Sequence, residues 1–260
     1  AILGDVRLAI EALLAELATN GTGDVDRDAW RSKLSGWQER FPLAYEPWVP
    51  GDPLKPQYVL ECLRDGTPDD TIVTSGVGLH QMWASQYWKF DYPYTWINSG
   101  GLGTMGFSIP AAIGAKVAFP DRMVWAVDGD GCFQMTAQEL VTATVENIPI
   151  KVALLNNSHL GMVRQWQEFF YERPYAATPL LSPDFAKLAE CFGLTGIVVD
   201  KRQDVVPAIE SARADDGTVV VEFKVEQEDT VYPMVPAGAD LHDMIRRPSL
   251  APIVETASDE

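Results

Sequence analysis

Short apolar runs and longer amphipathic segments alternate along most of the chain. The runs Met123–Val127 and Ile150–Leu155 have the length and the polar boundaries of buried strands. Between them, apolar side chains recur at three- and four-residue steps from Phe133 to Val145, which predicts an amphipathic helix. A right-handed strand–helix–strand crossover places both strands in one parallel sheet. The pattern predicts an α/β fold with a doubly wound, mainly parallel sheet and helices on both faces.

The other segments extend this alternation in both directions. Four further strands are predicted at Thr71–Thr74, Thr95–Ile97, Ile197–Val199 and Thr218–Val225. Seven further helices are predicted at Ala1–Ala18, Asp28–Phe41, Gln57–Arg64, Gln81–Tyr87, Ile109–Ala118, Asp184–Phe192 and Val205–Arg213. A loop that opens into a helix is expected at Ser158–Phe170.

A proline-rich segment separates two parts of the chain. Residues 42–56 hold five prolines and no apolar period, so they are interpreted as a linker. This linker divides a helical unit, residues 1–41, from a larger domain, residues 57–228. The remaining residues, 229–260, are interpreted as a polar, proline-containing C-terminal tail, and only its acidic end is predicted to be disordered.

Composition excludes several classes of function. The chain has 260 residues, 47% of them hydrophobic, and no apolar run of about 18 residues that could span a membrane. Its net charge of −17 argues against a nucleic-acid partner. Cys62, Cys132 and Cys191 form neither a disulfide framework nor a zinc pattern, so a cytoplasmic location is expected. The first residue is not Met and the amphipathic start is no signal peptide, so we expect a piece of a longer protein.

Two polar groups follow neighbouring strands of the predicted sheet. Asp130 lies between two glycines after the first strand, where glycine permits a sharp turn, and Asn156-Asn157 ends the second. Because both strand ends lie at one sheet edge, Asp130 and Asn157 are expected to converge. Carboxylate and amide oxygens at such an edge suit Mg²⁺ with substrate phosphates. The alternative is an ordinary Asp-Gly turn with an Asn cap.

Glycine-rich segments follow two other predicted strands. Ser75–His80 contains two glycines that permit a close approach to a bound group, and His80 could donate a hydrogen bond to a phosphate there. Asn98–Gly106 could hold a flat ring against the backbone. Its glycine spacing does not match the dinucleotide-binding pattern, which argues against a nicotinamide dehydrogenase. For His80, the alternative is a structural histidine.

A third candidate segment follows the Asn pair. Met162, Val163 and Trp166 fall on one face of the helix predicted after Ser158. A helix that begins at the metal edge directs its free N–H groups toward the ligand, which suits a phosphate. Ordinary core packing is the alternative explanation for this apolar face.

Four sequence motifs together resemble one enzyme family. The GDG…NN unit resembles the thiamin-diphosphate-binding motif. HQMWASQYW (His80–Trp88), SGGLGTMGFSIPAAIGA (Ser99–Ala115) and GMVRQWQEFFY (Gly161–Tyr171) resemble the catalytic subunit of acetohydroxyacid synthase, also called acetolactate synthase. The similarity runs from about Pro42 to Asp243. It implies the thiamin-diphosphate-binding fold, with residues 1–41 as the helical end of a preceding central domain.

The resemblance implies a role for each matching residue. Asp130, Asn157 and the backbone carbonyl of His159 would bind Mg²⁺. The residues that would hold the diphosphate are Gly78, His80, Gly131, Cys132, Gly161 and Met162. Gly103 and Met105 would hold the aminopyrimidine, and Met105 would bend the cofactor so that its amino group faces the reactive carbon. Trp166 would line the pocket for the second 2-oxo acid and favour 2-oxobutanoate over pyruvate there. Leu79 stands where glutamine is common, so no polar contact is assigned to it.

The resemblance also implies parts that this chain does not contain. In this family, an N-terminal domain of the other subunit supplies the glutamate that activates the cofactor, and a central domain binds FAD. The chain alone is therefore expected to bind cofactor weakly and to turn nothing over. A homodimer or homotetramer of the longer subunit and a small regulatory subunit are the expected partners.

The implied reaction begins branched-chain amino-acid synthesis. Pyruvate is decarboxylated on thiamin diphosphate, and the hydroxyethyl unit is added to pyruvate or 2-oxobutanoate to give 2-acetolactate or 2-aceto-2-hydroxybutanoate. Alternatives are another thiamin-diphosphate decarboxylase or carboligase, such as glyoxylate carboligase, and a non-catalytic binding module.

Overall fold

The chain forms two compact units, Ala1–Ala44 and Tyr45–Glu260. They were characterised in a computed structural model that describes residues 2–21, 26–171 and 175–248. Two predicted features lie partly outside the described residues: Ala1, where the first helix was predicted to begin, and the acidic end of the tail. No helix within the described ranges is long and apolar enough to cross a membrane.

The smaller unit contains two helices, α1 (Val6–Asn20) and α2 (Asp28–Arg40). The helix predicted from Ala1 begins at Val6 instead, because the Asp5 side chain caps it by accepting a hydrogen bond from the Leu8 N–H at 3.1 Å. Neither helix has a buried residue among those described. In α2 the rings of Trp30 and Trp37 pack edge to face, with ring centroids 5.7 Å apart.

The larger unit contains the sheet. Its strands are β1 (Ile72–Ser75), β2 (Trp96–Asn98), β3 (Val124–Gly129), β4 (Lys151–Asn156), β5 (Thr195–Val199) and β6 (Val219–Lys224). Its helices are α3 (Pro56–Asp65), α4 (Leu79–Tyr87), α5 (Ser108–Ala118), α6 (Asp130–Thr136), α7 (Leu140–Val145), α8 (Gly161–Phe170), α9 (Phe185–Cys191) and α10 (Val205–Ala214). All predicted strands are confirmed, with ends that differ by two residues or fewer.

The prediction of a single amphipathic helix after β3 is wrong. The segment is α6, a 3₁₀ turn at Ala137–Glu139, and α7. Thr136 ends α6 because its backbone leaves the helical region and its hydroxyl donates to the Gly106 carbonyl at 2.8 Å. Phe133 and Leu140 are buried as the period requires, whereas Val145 is 68% exposed.

The sheet is parallel and covered on both faces, as predicted. Within the described residues its strand order is β2-β1-β3-β4-β6-β5, and every neighbouring pair is parallel. One core packs α3, α4 and α10 against the strands, and the other packs α5, α6 and α9 against the opposite face. After β1 the chain adds β2 on one side and then β3 on the other. The gap between the carboxyl ends of β1 and β3 is therefore the topological switch point, where open α/β sheets bind ligands.

Candidate functional site

A cleft lies at this switch point, at the carboxyl ends of β1, β3 and β4. It encloses about 500 Å³ of empty space, part of it open to solvent. Ten of the twelve residues predicted for the site line it: Gly78, His80, Met105, Asp130, Gly131, Cys132, Asn157, His159, Gly161 and Met162. Gly103 and Trp166 are not among the residues that line it.

The first turns of two helices form one wall of the cleft. α4 begins immediately after Gly78, whose φ of +150° is a conformation that favours glycine. α8 begins at Gly161, and Met162 also lines the cleft. The N–H groups of a helix's first turn have no partner within the helix and carry partial positive charge. Two such helix starts suit an anionic ligand such as a diphosphate.

The glycines on either side of Asp130 allow close packing. They do not form the sharp turn that we expected. Gly129 ends β3 in an extended conformation and Gly131 lies in α6. A Cβ at Gly129 would lie 2.6 Å from His80 Nδ1, and one at Gly131 would lie 3.0 Å from a Leu160 methyl carbon. Strand and helix therefore follow each other directly, which places Asp130 at the N-terminus of α6.

Asp130 is a buried carboxylate with few partners. It is 2% exposed, and its Oδ2 accepts a hydrogen bond from the Ser182 hydroxyl at 3.3 Å. Burial raises the pKa of Asp130 to about 6, against hydrogen bonds from the backbone and from Ser182 that lower it. A buried carboxylate of this kind is stabilised by a cation at the same position.

The loop after β4 presents the other predicted metal ligands. Asn157 is buried, and its side-chain oxygen accepts from the His159 N–H at 3.1 Å, which leaves a second lone pair for a cation. Ser158, between them, has a φ of +55°. The Ser158 N–H donates to the Asn156 side-chain oxygen at 2.9 Å, an arrangement that stabilises a tight turn. The first Asn of the pair thus shapes the loop that the second occupies.

A downstream segment crosses this loop. The Leu160 N–H donates to the Thr178 carbonyl, and the Leu180 N–H donates to the Ser158 carbonyl, each at 2.8 Å. The same segment brings Ser182 to Asp130. Sequence reasoning missed Ser182 because it lies 52 positions after Asp130 and outside every motif.

A second polar cluster lies beneath the cleft. His80 Nε2 is 3.6 Å from Asp128 Oδ1, and the possible ligand atoms of His80, Asp128 and Cys132 lie within 4.8 Å of one another. Burial raises the pKa of Asp128 to about 7 and lowers the pKa of His80 to about 3. Burial also raises the pKa of Cys132 to about 12, which disfavours the thiolate that a metal would need.

The Cys132 thiol forms two hydrogen bonds with the backbone of Val77. Its Sγ donates to the Val77 carbonyl at 3.1 Å and accepts from the Val77 N–H at 3.3 Å. In the described part of the chain, His80 Nε2 and Asp128 Oδ2 are buried without a hydrogen-bond partner. We interpret this cluster as support for the His80 ring and not as the metal site.

The two residues outside the cleft are each close in sequence to a residue that lines it. Gly103 belongs to the loop that carries Met105 into the cleft, and its φ is +66°. Trp166 is 42% exposed and packs edge to face on Phe170, with ring centroids 5.5 Å apart. Trp166 lies one helical turn beyond Met162 on α8, so the assignment to a substrate pocket stays a prediction.

The residues present fit a magnesium ion and a diphosphate. A carboxylate, an amide oxygen and a main-chain carbonyl form the hard oxygen donor set that Mg²⁺ prefers. At Gly161 an added Cβ would lie 2.8 Å from Asn157 Nδ2, so the glycine lets the start of α8 approach the loop closely. Apolar side chains, including Leu79, Trp83 and Leu155, form the rest of the wall.

The chain is similar to a known protein family and to several characterised proteins. Residues 76–223 match the family described as thiamine pyrophosphate enzyme, C-terminal TPP binding domain. The acetolactate synthase large subunit of Corynebacterium glutamicum is 49% identical over 249 residues, which are 94% of this chain and 40% of that protein. The acetolactate synthase catalytic subunit of Saccharomyces cerevisiae is 44% identical, over 85% of this chain and 32% of that protein.

A mycobacterial relative extends the match to nearly the whole chain. The acetolactate synthase large subunit of Mycobacterium tuberculosis is 46% identical over 99% of this chain and 43% of that protein. The chain thus spans about two fifths of the length of these bacterial relatives. The chain therefore belongs to the acetolactate synthase family of thiamine pyrophosphate enzymes, and its residues 76–223 match the C-terminal domain that binds the cofactor.

Proposed function

We propose that this chain is the diphosphate-binding part of an acetolactate synthase. The whole enzyme would decarboxylate pyruvate and condense the two-carbon unit with pyruvate or 2-oxobutanoate, to give 2-acetolactate or 2-aceto-2-hydroxybutanoate. The observation that carries the proposal is the cleft at the switch point, where Asp130 and Asn157 lie together in a chain of this family. The names of its relatives support this choice of reaction.

Each group in the cleft would have a defined task. Asp130, the Asn157 side chain and the His159 carbonyl would hold Mg²⁺, and the metal would neutralise the diphosphate. The starts of α4 and α8 would donate main-chain N–H groups to phosphate oxygens. Thiamin diphosphate, when bound, supplies a thiazolium carbon that accepts the electrons released by decarboxylation.

The apolar wall would serve the chemistry by excluding water. Leu79, Trp83, Leu155 and Met162 line the cleft beside the polar edge. A water-poor site strengthens the interactions between the charged groups and protects a reactive carbon from protonation by solvent. Met105 reaches the same cleft and would support the cofactor in a bent shape, which brings its two rings into reacting geometry.

The rest of the enzyme is also part of the proposal. Residues 1–41 would end a central domain that binds FAD, residues 42–56 would link it to the domain at 57–228, and residues 229–260 would form a C-terminal tail. The activating glutamate would come from another part of the enzyme, in a homodimer or homotetramer. A small regulatory subunit is proposed as a partner, supported by the names "large subunit" and "catalytic subunit" among the relatives. A cytoplasmic location stays a prediction.

Product analysis tests the proposal. The whole protein that carries these residues is incubated with pyruvate, Mg²⁺, thiamin diphosphate and FAD, and acetolactate and acetaldehyde are quantified. The proposal expects acetolactate as the main product. Release of acetaldehyde without acetolactate would assign the site to a simple decarboxylase, and unchanged pyruvate would indicate a binding module.

A further inference from the structure

A buried carboxylate lies behind the cleft, outside every predicted motif. Glu222, on β6, is 2% exposed. Its Oε1 accepts a hydrogen bond from the side-chain amide of Asn156 on β4 at 2.7 Å. Glu222 pairs with Leu154 in the parallel register, so Asn156 is its diagonal neighbour on the same face of the sheet. A buried carboxylate is costly unless its partner is well placed, so its presence here requires a reason.

The carboxylate determines which way the Asn156 amide points. An ionised carboxylate only accepts hydrogen bonds, so it selects the NH₂ end of the amide. The amide oxygen must then face the other side, where it accepts from the Ser158 N–H at 2.9 Å. A neutral glutamine at position 222 could present either its oxygen or its NH₂ group and would not impose this choice.

The Asn156 oxygen in turn shapes the metal edge. The turn that it stabilises holds Ser158 at a φ of +55°, between Asn157 and His159. The same oxygen lies 3.4 Å from the Ser182 hydroxyl, which is also 3.3 Å from Asp130 Oδ2. One hydroxyl group thus lies between the Asn156 amide and the Asp130 carboxylate.

We infer that Glu222 is a positioning residue for the metal: through Asn156 it holds the 157–159 loop and Asp130 in binding geometry. This inference rests on the proposed function, because the metal and the diphosphate belong to it. Groups that orient metal ligands from behind typically change metal affinity about 10- to 100-fold when they are removed.

Manganese binding tests the inference directly. Free Mn²⁺ is measured by electron paramagnetic resonance during titration of the whole protein in the presence of thiamin diphosphate. Glu222→Gln is expected to weaken Mn²⁺ binding about 10-fold or more. Glu210→Gln, which removes the same charge from an exposed position on α10, is the control and is expected to bind Mn²⁺ like the wild type.

A reversed hydrogen bond provides a rescue. In the double variant Glu222→Gln with Asn156→Asp, the glutamine NH₂ can donate to one aspartate oxygen while the other still accepts from Ser158. Its Mn²⁺ affinity is expected to recover toward the wild-type value relative to Glu222→Gln. If Glu222→Gln does not fold, Glu222→Asp replaces it. This variant keeps the charge but withdraws the carboxylate from the Asn156 amide, and it is expected to weaken Mn²⁺ binding as well.

The outcomes separate the inference from the function on which it rests. Wild-type protein that binds no Mn²⁺ with thiamin diphosphate would overturn the proposed function and the inference together. Wild-type binding with an unchanged affinity in a folded Glu222→Gln protein would overturn the inference alone. A lower melting temperature with unchanged Mn²⁺ affinity would likewise reduce Glu222 to a structural residue.

Discussion

The imidazole of His80 occupies the space that Gly129 leaves open at the end of β3. A Cβ at Gly129 would lie 2.6 Å from His80 Nδ1 and 2.9 Å from Cε1, closer than real Cβ contacts. Asp128 lies next to the ring, and its Oδ1 is 3.6 Å from His80 Nε2. The His80 ring can therefore occupy this position only because residue 129 is a glycine.

Gly129→Ala is expected to displace His80 into the cleft. Because the ring is 6% exposed and the surrounding core is packed, the added methyl group should lower the free energy of unfolding by about 1–3 kcal/mol. It should also weaken thiamin diphosphate binding. Urea denaturation and quenching of tryptophan fluorescence by the cofactor measure the two effects.

Gly114→Ala is the matched control. Gly114 lies in α5, where an added Cβ would meet nothing within 4 Å. Because alanine favours a helix, the change is expected to stabilise the protein by about 0.5–1 kcal/mol and to leave cofactor binding unchanged. Equal loss of stability in both variants would contradict the packing argument.

Arg164→Met is expected to destabilise the larger unit strongly. Arg164, on α8, has a fully buried side chain that donates to Glu168 at 2.9 Å and to the Asp229 carbonyl at 2.6 Å. Removing one partner leaves buried polar groups without compensation, which typically costs about 3–5 kcal/mol. Urea denaturation of the purified variant measures the loss.

An exposed pair with the same spacing provides the control for Arg164. Arg7 and Glu11 also form a pair four residues apart at 2.8 Å, with side chains that are 83% and 52% exposed. Arg7→Met should leave the unfolding midpoint unchanged, since solvent screens such pairs. A midpoint for Arg164→Met equal to that of the wild type would show that burial does not matter at this position.

The sequence was sufficient to predict that Asp130 and Asn157 lie at one cleft, because each directly follows a strand and parallel strands end at one edge. It could not predict Ser182 or Glu222, which reach the site only through the packing of distant elements. The helical period between Phe133 and Val145 concealed a break at Thr136. That break depends on a hydrogen bond to Gly106, a contact that no local pattern contains.

Asp130→Asn is expected to abolish tight binding of divalent metal. The wild-type site offers oxygen donors, so Co²⁺ bound there should show no sulfur-to-metal charge-transfer absorption. The exposed substitution Asp121→Asn is the control and should bind Co²⁺ like the wild type. A charge-transfer band that survives Asp130→Asn would instead place the metal at the His80, Asp128 and Cys132 cluster.

Trp166→Leu tests the role proposed for Trp166. If Trp166 lines the pocket for the second substrate, the variant should form less 2-aceto-2-hydroxybutanoate relative to acetolactate when both oxo acids are supplied. Pyruvate consumption alone should be retained. Phe170→Leu, which removes only the ring packed on Trp166, is the comparison, and the same product ratio in wild type and Trp166→Leu would refute the assignment.

The central claim is that Asp130 and Asn157 hold a metal that binds the diphosphate of the cofactor. The most direct measurement is electron–nuclear double resonance on the whole protein with Mn²⁺ and thiamin diphosphate. The account predicts a coupling between Mn²⁺ and the phosphorus nuclei in the wild type and its loss in Asp130→Asn. Bound cofactor without this coupling, or a coupling that persists in the variant, would contradict it.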